Sequence, residues 1–213
     1  MSHSSTAGRL RPAPPVAVVF PLAVALAMTL AMTLAMTMAA PAFASAPRAH
    51  PHHARHDRIP PKRVWLRDVS TALSDVPTYL DARARAAGRL AVVLGIDNVA
   101  LASHYDWPRG VPPTLRVARH ARRLGMAVFF VTGRFQREQH RLSRLLHRAG
   151  FDFDGVCGRA PGERVPVAKQ QCRRAIAARG YTITANISSN RQAFHGGYYE
   201  RAVLLPDYGG RLG

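Results

Sequence analysis

The alternation of short apolar segments with longer helical segments is the feature that most constrains the fold. Successive apolar residues, as in LAVVLGI (90–96), are typical of strands buried on both faces of a parallel sheet. Strands are predicted at 90–96, 126–134, 153–159, 181–187 and 201–206, and helices at 65–88 (broken near Pro77), 112–125, 135–150 and 165–180. The sequence therefore predicts an α/β protein, a Rossmann-like three-layer sandwich with a mainly parallel sheet of about five strands.

The charge of the chain is strongly positive. The 213 residues include 30 Lys and Arg against 12 Asp and Glu, a net charge of +18, with 47% hydrophobic residues. This composition indicates a globular domain with a proper core. The basic residues are scattered over the helices and no aromatic stacking pattern accompanies them, so we expect loose attraction to anionic polymers without specific nucleic-acid recognition.

The N-terminal segment 1–44 has the pattern of a signal peptide. Arg9 and Arg11 precede a long apolar run, and no charged residue follows until Arg48. Small residues around Ala44 fit a cleavage site. We predict cleavage after Ala44 and a secreted or cell-envelope location, with an uncleaved membrane anchor as the alternative.

Residues 45–63 form a Pro/His/Arg-rich segment that precedes a domain predicted at 64–213. His50, His52, His53 and His56 could bind a transition metal, but no spaced second set of ligands closes a site. The favoured interpretation is a flexible, exposed linker.

Four segments at or near the predicted strand ends carry a resemblance. They are GIDNVAL, FFVTGR, VAKQQCRRAIAARGYTITANI and HGGYYERAVLLPDYGG. In order and spacing they resemble the haloacid dehalogenase-like superfamily, specifically its secreted acid phosphatase-like branch, subfamily IIIB. The likeness covers roughly residues 65–212. It implies a phosphatase (phosphoric monoester hydrolase) fold acting on phosphate or a small phosphoester.

The resemblance also implies roles for individual residues. In the family motif Asp-Ile-Asp-Asn-Thr, the first Asp attacks phosphorus and the second is the general acid/base. The second matches Asp97, whereas the nucleophile position matches Gly95, which has no side chain. Thr132, Gly133 and Lys169 match the residues that bind phosphate in the family, where the lysine balances the charge of the phosphate.

The family's Mg²⁺ is expected to lack its carboxylate ligands here. Ser188 and Ser189 stand where Gly and Asp or Asn are expected, and Ala193 stands at a position that is usually Asp. Mg²⁺ requires oxygen ligands in near-octahedral geometry, so we predict that the site binds no metal ion and that the protein uses no cofactor. Asp152 and Asp154 lie on another predicted strand and are interpreted as a loop or strand-edge pair.

The leading hypothesis is an exported acid phosphatase-like protein that is weak or inactive as a phosphomonoesterase but binds phosphate. One alternative is an active phosphatase with a non-standard nucleophile, such as Ser188, Ser189 or a water activated by Asp97. Another is a basic cell-envelope protein that binds anions. Arg134 is left with two interpretations, facing the site or forming an exposed salt bridge.

The two cysteines, Cys157 and Cys172, are the only intramolecular pair that the sequence allows. An exported protein could oxidise them, closing a loop of about 15 residues. Because one lies on a predicted strand and the other within the next helix, a disulfide and two buried thiols both remain open.

Overall fold

The computed structural model of the protein describes residues 59–212. The predicted signal peptide and most of the predicted linker lie outside the described residues. The helices are α1 (Lys62–Ala72), α2 (Val76–Ala84), α3 (Pro112–Arg123), α4 (Gln139–Arg148) and α5 (Val165–Ala178). The strands are β1 (Arg89–Leu94), β2 (Ala127–Phe135), β3 (Gly155–Arg159), β4 (Tyr181–Ser188) and β5 (Arg201–Leu204).

The five strands form one sheet in the order β3-β2-β1-β4-β5, and every paired neighbour is parallel. This confirms the predicted α/β class and the five-stranded parallel sheet. Parallel strands place all their carboxyl ends at one edge. The ends of β1, β2 and β4, the three central strands, therefore meet there.

Both faces of the sheet are covered, which explains the continuous apolar character of the strands. Val92 and Leu94 pack into the core on the side of α1 to α4, whereas Ala91 and Val93 pack with residues of α5. Alternate side chains of β1 thus enter opposite cores, and all four are essentially inaccessible to solvent.

Two helix predictions needed adjustment. The predicted helix at 65–88 is two helices, α1 and α2, and Pro77 lies in the first turn of α2, where its missing N–H costs no hydrogen bond. The segment predicted as a helix from residue 135 begins instead with a 3₁₀ turn at Gln136–Glu138, because β2 continues to Phe135. α1 begins at Lys62, three residues before the predicted start of the helix at 65.

A disulfide joins the two cysteines. Cys157 on β3 and Cys172 on α5 are bonded, with Cα atoms 5.9 Å apart. This resolves the choice that the sequence left open and ties the helix that carries Lys169 to the sheet.

Within residues 59–212, no helix combines the length and apolarity that a membrane crossing requires.

Candidate functional site

A cavity of about 150 Å³ opens at the carboxyl edge of the sheet, between the ends of β1, β2 and β4. It is lined by Gly95, Ile96, Asp97, Val99, Thr132, Gly133, Lys169, Ser188, Ser189 and Asn190. The structure thus brings together all five residues that the sequence analysis assigned to catalysis or phosphate binding. A larger cavity of about 560 Å³, lined by residues such as Lys62, Leu66 and Arg148, lies away from these motifs.

Gly95 follows β1 directly, and its N–H donates a hydrogen bond to the Ile187 carbonyl (2.9 Å). A Cβ atom at this position would lie 3.0 Å from Val99 Cγ2 and 3.5 Å from Ser188 Oγ. The space that a nucleophilic side chain would enter is therefore partly filled by Val99. Val99 matches the Thr of the family motif Asp-Ile-Asp-Asn-Thr. The missing carboxylate at residue 95 is therefore accompanied by an apolar side chain at residue 99.

Both carboxylate oxygens of Asp97 accept hydrogen bonds. Arg134 forms a bidentate ion pair with it, from Nε to Oδ2 (3.0 Å) and from Nη2 to Oδ1 (2.7 Å). The Ser103 hydroxyl also donates to Oδ1 (2.7 Å). Burial alone would raise the pKa of Asp97, but these hydrogen bonds, together with the charges of Arg134 and Lys169, leave the pKa lowered. Of the two interpretations of Arg134, the structure shows the salt bridge: Arg134 does not itself line the cavity, but it pairs with Asp97, which does.

Lys169 lies near the start of α5, and its side chain is partly buried. Burial lowers the pKa of Lys169, an effect that the charge of Asp97 opposes and the charge of Arg173 reinforces. Within the described residues, no hydrogen bond to the Lys169 ammonium is formed. A desolvated cation that faces a polar cavity is suited to binding an anion.

Thr132 and Gly133 form the wall contributed by β2. Thr132 is 2% exposed, and its Oγ1 accepts a hydrogen bond from the Arg134 N–H (3.2 Å). A Cβ atom on Gly133 would lie 3.1 Å from Val165 Cγ1, so glycine lets the strand approach the first residue of α5 closely. This close approach brings the backbone of β2 and the first turn of α5 to the same cavity.

The segment after β4 is held by hydrogen bonds. Ser189 Oγ donates to the Asp97 carbonyl (3.2 Å), and Ser188 Oγ accepts from the Asn190 N–H (3.3 Å). Ala193, the predicted position of a missing acid, is buried in a 3₁₀ turn and does not line the cavity. Ser189 is therefore the lining residue of this segment that stands where the family has an acid or amide.

Arg173 organises the following loop and was not identified from the sequence. Its guanidinium, 1% exposed, donates to the carbonyls of Ala193 (2.7 Å), Gly197 (2.8 Å) and His195. The available signal was its spacing, one helical turn after Lys169 on α5, which places both side chains on one face.

The donor atoms at the cavity do not match a Mg²⁺ site. Its one carboxylate, Asp97, is paired with Arg134, and the Asp97 carbonyl accepts from Ser189. Across residues 59–212, no group of three or more His, Cys, Asp or Glu side chains is arranged to hold a metal ion. Asp152 and Asp154 lie elsewhere, in ion pairs with Arg122, as expected for a loop pair.

A parallel sheet covered by helices, with a polar cavity at the carboxyl ends of its strands, defines a doubly wound α/β protein. Within that class, the family model for the HAD superfamily, subfamily IIIB (acid phosphatase), matches residues 103–211, and the chain belongs to this family. The matched region begins after Gly95 and Asp97. Members of the superfamily usually use Mg²⁺.

Solved structures show the same fold. A class C acid phosphatase from Bacillus anthracis with tungstate bound aligns with a TM-score of 0.55 at 14% identity, covering 67% of this chain and 78% of that chain. A second structure of the class C acid phosphatase from this organism aligns with the same TM-score and coverage at 13% identity. A search of curated proteins found no significant match.

Proposed function

We propose that this chain is an exported acid phosphatase-like protein that binds phosphate or small phosphoesters and hydrolyses them weakly or not at all. The observation that carries the proposal is the combination at one cavity: Thr132, Gly133 and Lys169 line it, whereas Gly95 stands at the nucleophile position. Loss of a covalent nucleophile lowers turnover on the order of 10⁴- to 10⁶-fold in hydrolases.

The state of Asp97 supports the same proposal. A general acid must release a proton to the leaving group, and it works best with a pKa near the operating pH. The lowered pKa of Asp97 and its bidentate pair with Arg134 favour a permanent carboxylate. Asp97 is therefore a poor proton donor.

Serine nucleophiles are disfavoured by their hydrogen bonds. Ser189 donates to a backbone carbonyl and Ser188 accepts from a backbone N–H. Neither hydroxyl contacts a carboxylate or imidazole in the described part of the chain, so neither has a base to activate it. We also propose that Mg²⁺ is not a cofactor, because the oxygen ligands it needs are replaced or already bonded.

The organisation that we propose is a signal peptide at 1–44, a flexible linker from residue 45 to the start of α1, and the phosphatase-type domain after it. N-terminal sequencing of exported protein tests this directly. Cleavage predicts Ser45 as the first residue, whereas an uncleaved anchor would keep residues 1–44 and leave the protein in the membrane fraction.

Calorimetric titration with phosphate and with tungstate tests the binding function. Lys169→Ala is expected to abolish or strongly weaken binding, and Lys62→Ala is the matched control because it removes the one other lysine, which pairs with Asp106 away from the cavity. Absence of binding by the wild type would refute the proposal. Binding to anionic polymer that survives Lys169→Ala would favour the basic cell-envelope alternative.

Hydrolysis of a chromogenic phosphomonoester, with and without Mg²⁺, tests the catalytic part. We expect turnover near background for the wild type. Gly95→Asp with Ala193→Asp places acids at the two positions where the family resemblance expects them, but the structure adds two requirements: Val99→Ala to make room beside residue 95 and Ser189→Asp at the cavity wall. Activity gained only with these changes would support the proposal, and brisk wild-type turnover through a phosphoryl-enzyme adduct would refute it.

A further inference from the structure

The Asp97 carboxylate interacts with two cations, Arg134 and Lys169. Arg134 binds it through two hydrogen bonds of 2.7 and 3.0 Å, and the charge of Lys169 also acts on it. The planar fork of an Arg side chain suits a carboxylate and a phosphate equally well, since both offer two oxygens at matching spacing. Asp97 therefore makes with Arg134 the contact that a bound oxyanion would make.

Arg134 is also held by groups other than Asp97. Its guanidinium lies over the ring of Trp107, with Cζ 4.9 Å from the ring centre, and Nη1 lies 3.9 Å from Glu138. Arg134 directly follows Thr132 and Gly133 in the chain, and its backbone N–H donates a hydrogen bond to Thr132 Oγ1. The guanidinium does not itself line the cavity, but Trp107 and its own strand hold it beside Asp97, so its position does not depend on the carboxylate alone.

From these contacts we infer that Asp97 is an internal anionic ligand that competes with phosphate, and that Arg134 is a second cationic ligand of the site. An incoming oxyanion displaces the Asp97 carboxylate from Arg134 and is then bound by Arg134 and Lys169 together. This inference rests on the proposed function, because it specifies how the same cavity binds its anion. It assigns Asp97 a role opposite to that of a proton donor, since the carboxylate limits anion affinity.

Asp97→Asn is the direct test, because it removes the charge and preserves the shape of the side chain. We expect phosphate affinity to rise at least tenfold in calorimetric titration at fixed salt. Asp106→Asn is the matched control: it makes the same change in net charge in the same loop, but Asp106 pairs with Lys62 and Arg109. We expect this control to change affinity less than twofold.

Asp97→Asn could raise phosphate affinity either because Arg134 then binds the anion or because repulsion between the Asp97 carboxylate and phosphate is removed. Arg134→Gln in the Asp97→Asn background distinguishes these two explanations. If Arg134 binds the anion, the double variant should lose at least fivefold in affinity relative to Asp97→Asn. If the wild type binds phosphate but Asp97→Asn brings no increase, or if Arg134→Gln has no effect in that background, the inference is wrong and the proposed function stands. If neither the wild type nor Asp97→Asn binds phosphate, the proposed function fails as well. Thermal melts of each variant confirm that the compared proteins are folded.

Discussion

Gly95→Ala is the smallest change that tests whether packing has filled the space beside Gly95, the proposed nucleophile position. Gly95 is not among the residues with positive φ, so its backbone accepts an L-amino acid. A glycine-to-alanine change at such a position normally stabilises by about 0.4–1 kcal/mol, because the unfolded chain loses freedom. Here the new methyl carbon would lie 3.0 Å from Val99 Cγ2 in a buried site. Overpacking of a core costs about 1–3 kcal/mol.

The expected net result is a loss of roughly 1–2 kcal/mol in the free energy of unfolding, since the packing penalty exceeds the entropic gain. For a domain of this size, each 1 kcal/mol lowers the melting temperature by about 2–4 °C. Urea denaturation and thermal melting followed by circular dichroism measure this loss.

Val99→Ala provides the control for the contact itself. Alone it leaves a small void and destabilises the protein, because a buried methyl group is removed. Combined with Gly95→Ala, the new methyl group occupies part of that void. The double variant should therefore lose at least about 1 kcal/mol less unfolding free energy than the sum of the two single losses. Strictly additive effects, or a Gly95→Ala variant more stable than the wild type, would show that Val99 does not fill the position.

Two further predictions concern the ion pair and the disulfide. Because the pKa of Asp97 is lowered in the folded protein, its carboxylate stabilises the fold above the pKa of an unfolded Asp, about 4, and this contribution disappears as pH falls through the folded value. The stability difference between wild type and Asp97→Asn should therefore be largest near neutral pH, amount to no more than about 1 kcal/mol for this partly exposed pair, and shrink in urea titrations as the pH falls below that of an unfolded Asp, about 4. A difference that grows on acidification would contradict the assigned pKa direction. Replacing both cysteines with serine should cost roughly 3 kcal/mol, as expected for a separation of 15 residues, and the wild type treated with reductant should match the double variant in urea denaturation.

The positions of the site elements were predictable from the sequence because buried parallel strands leave a continuous apolar pattern. That pattern located β1, β2 and β4, and the topology of parallel sheets then places their carboxyl ends together. Helix periodicity located α5 and hence Lys169. The resemblance supplied the identity of the site, and the geometry brought its residues to one cavity.

The contacts within the site were not predictable, because they depend on side-chain placement that periodicity does not encode. Arg134 had two equally good interpretations until its bidentate pair with Asp97 was placed. Arg173 belongs to a residue type that is almost never fully buried without partners, and only the three carbonyls around its guanidinium explain its burial. The same loop conformation moves Ala193 away from the cavity and leaves Ser189 at its wall.

The replacements at the site support one another. Val99 Cγ2 lies 3.0 Å from where a Cβ on residue 95 would be, and the Ser189 hydroxyl donates a hydrogen bond to the Asp97 carbonyl. Arg173 fixes the loop after β4 by donating hydrogen bonds to its carbonyls. If the site has lost its acids, as we propose, these carbonyls and this space would have no partners without the neighbouring side chains. Because each is satisfied by a neighbouring side chain, restoring one acid must also break a contact, and recovery of catalysis should require several substitutions together.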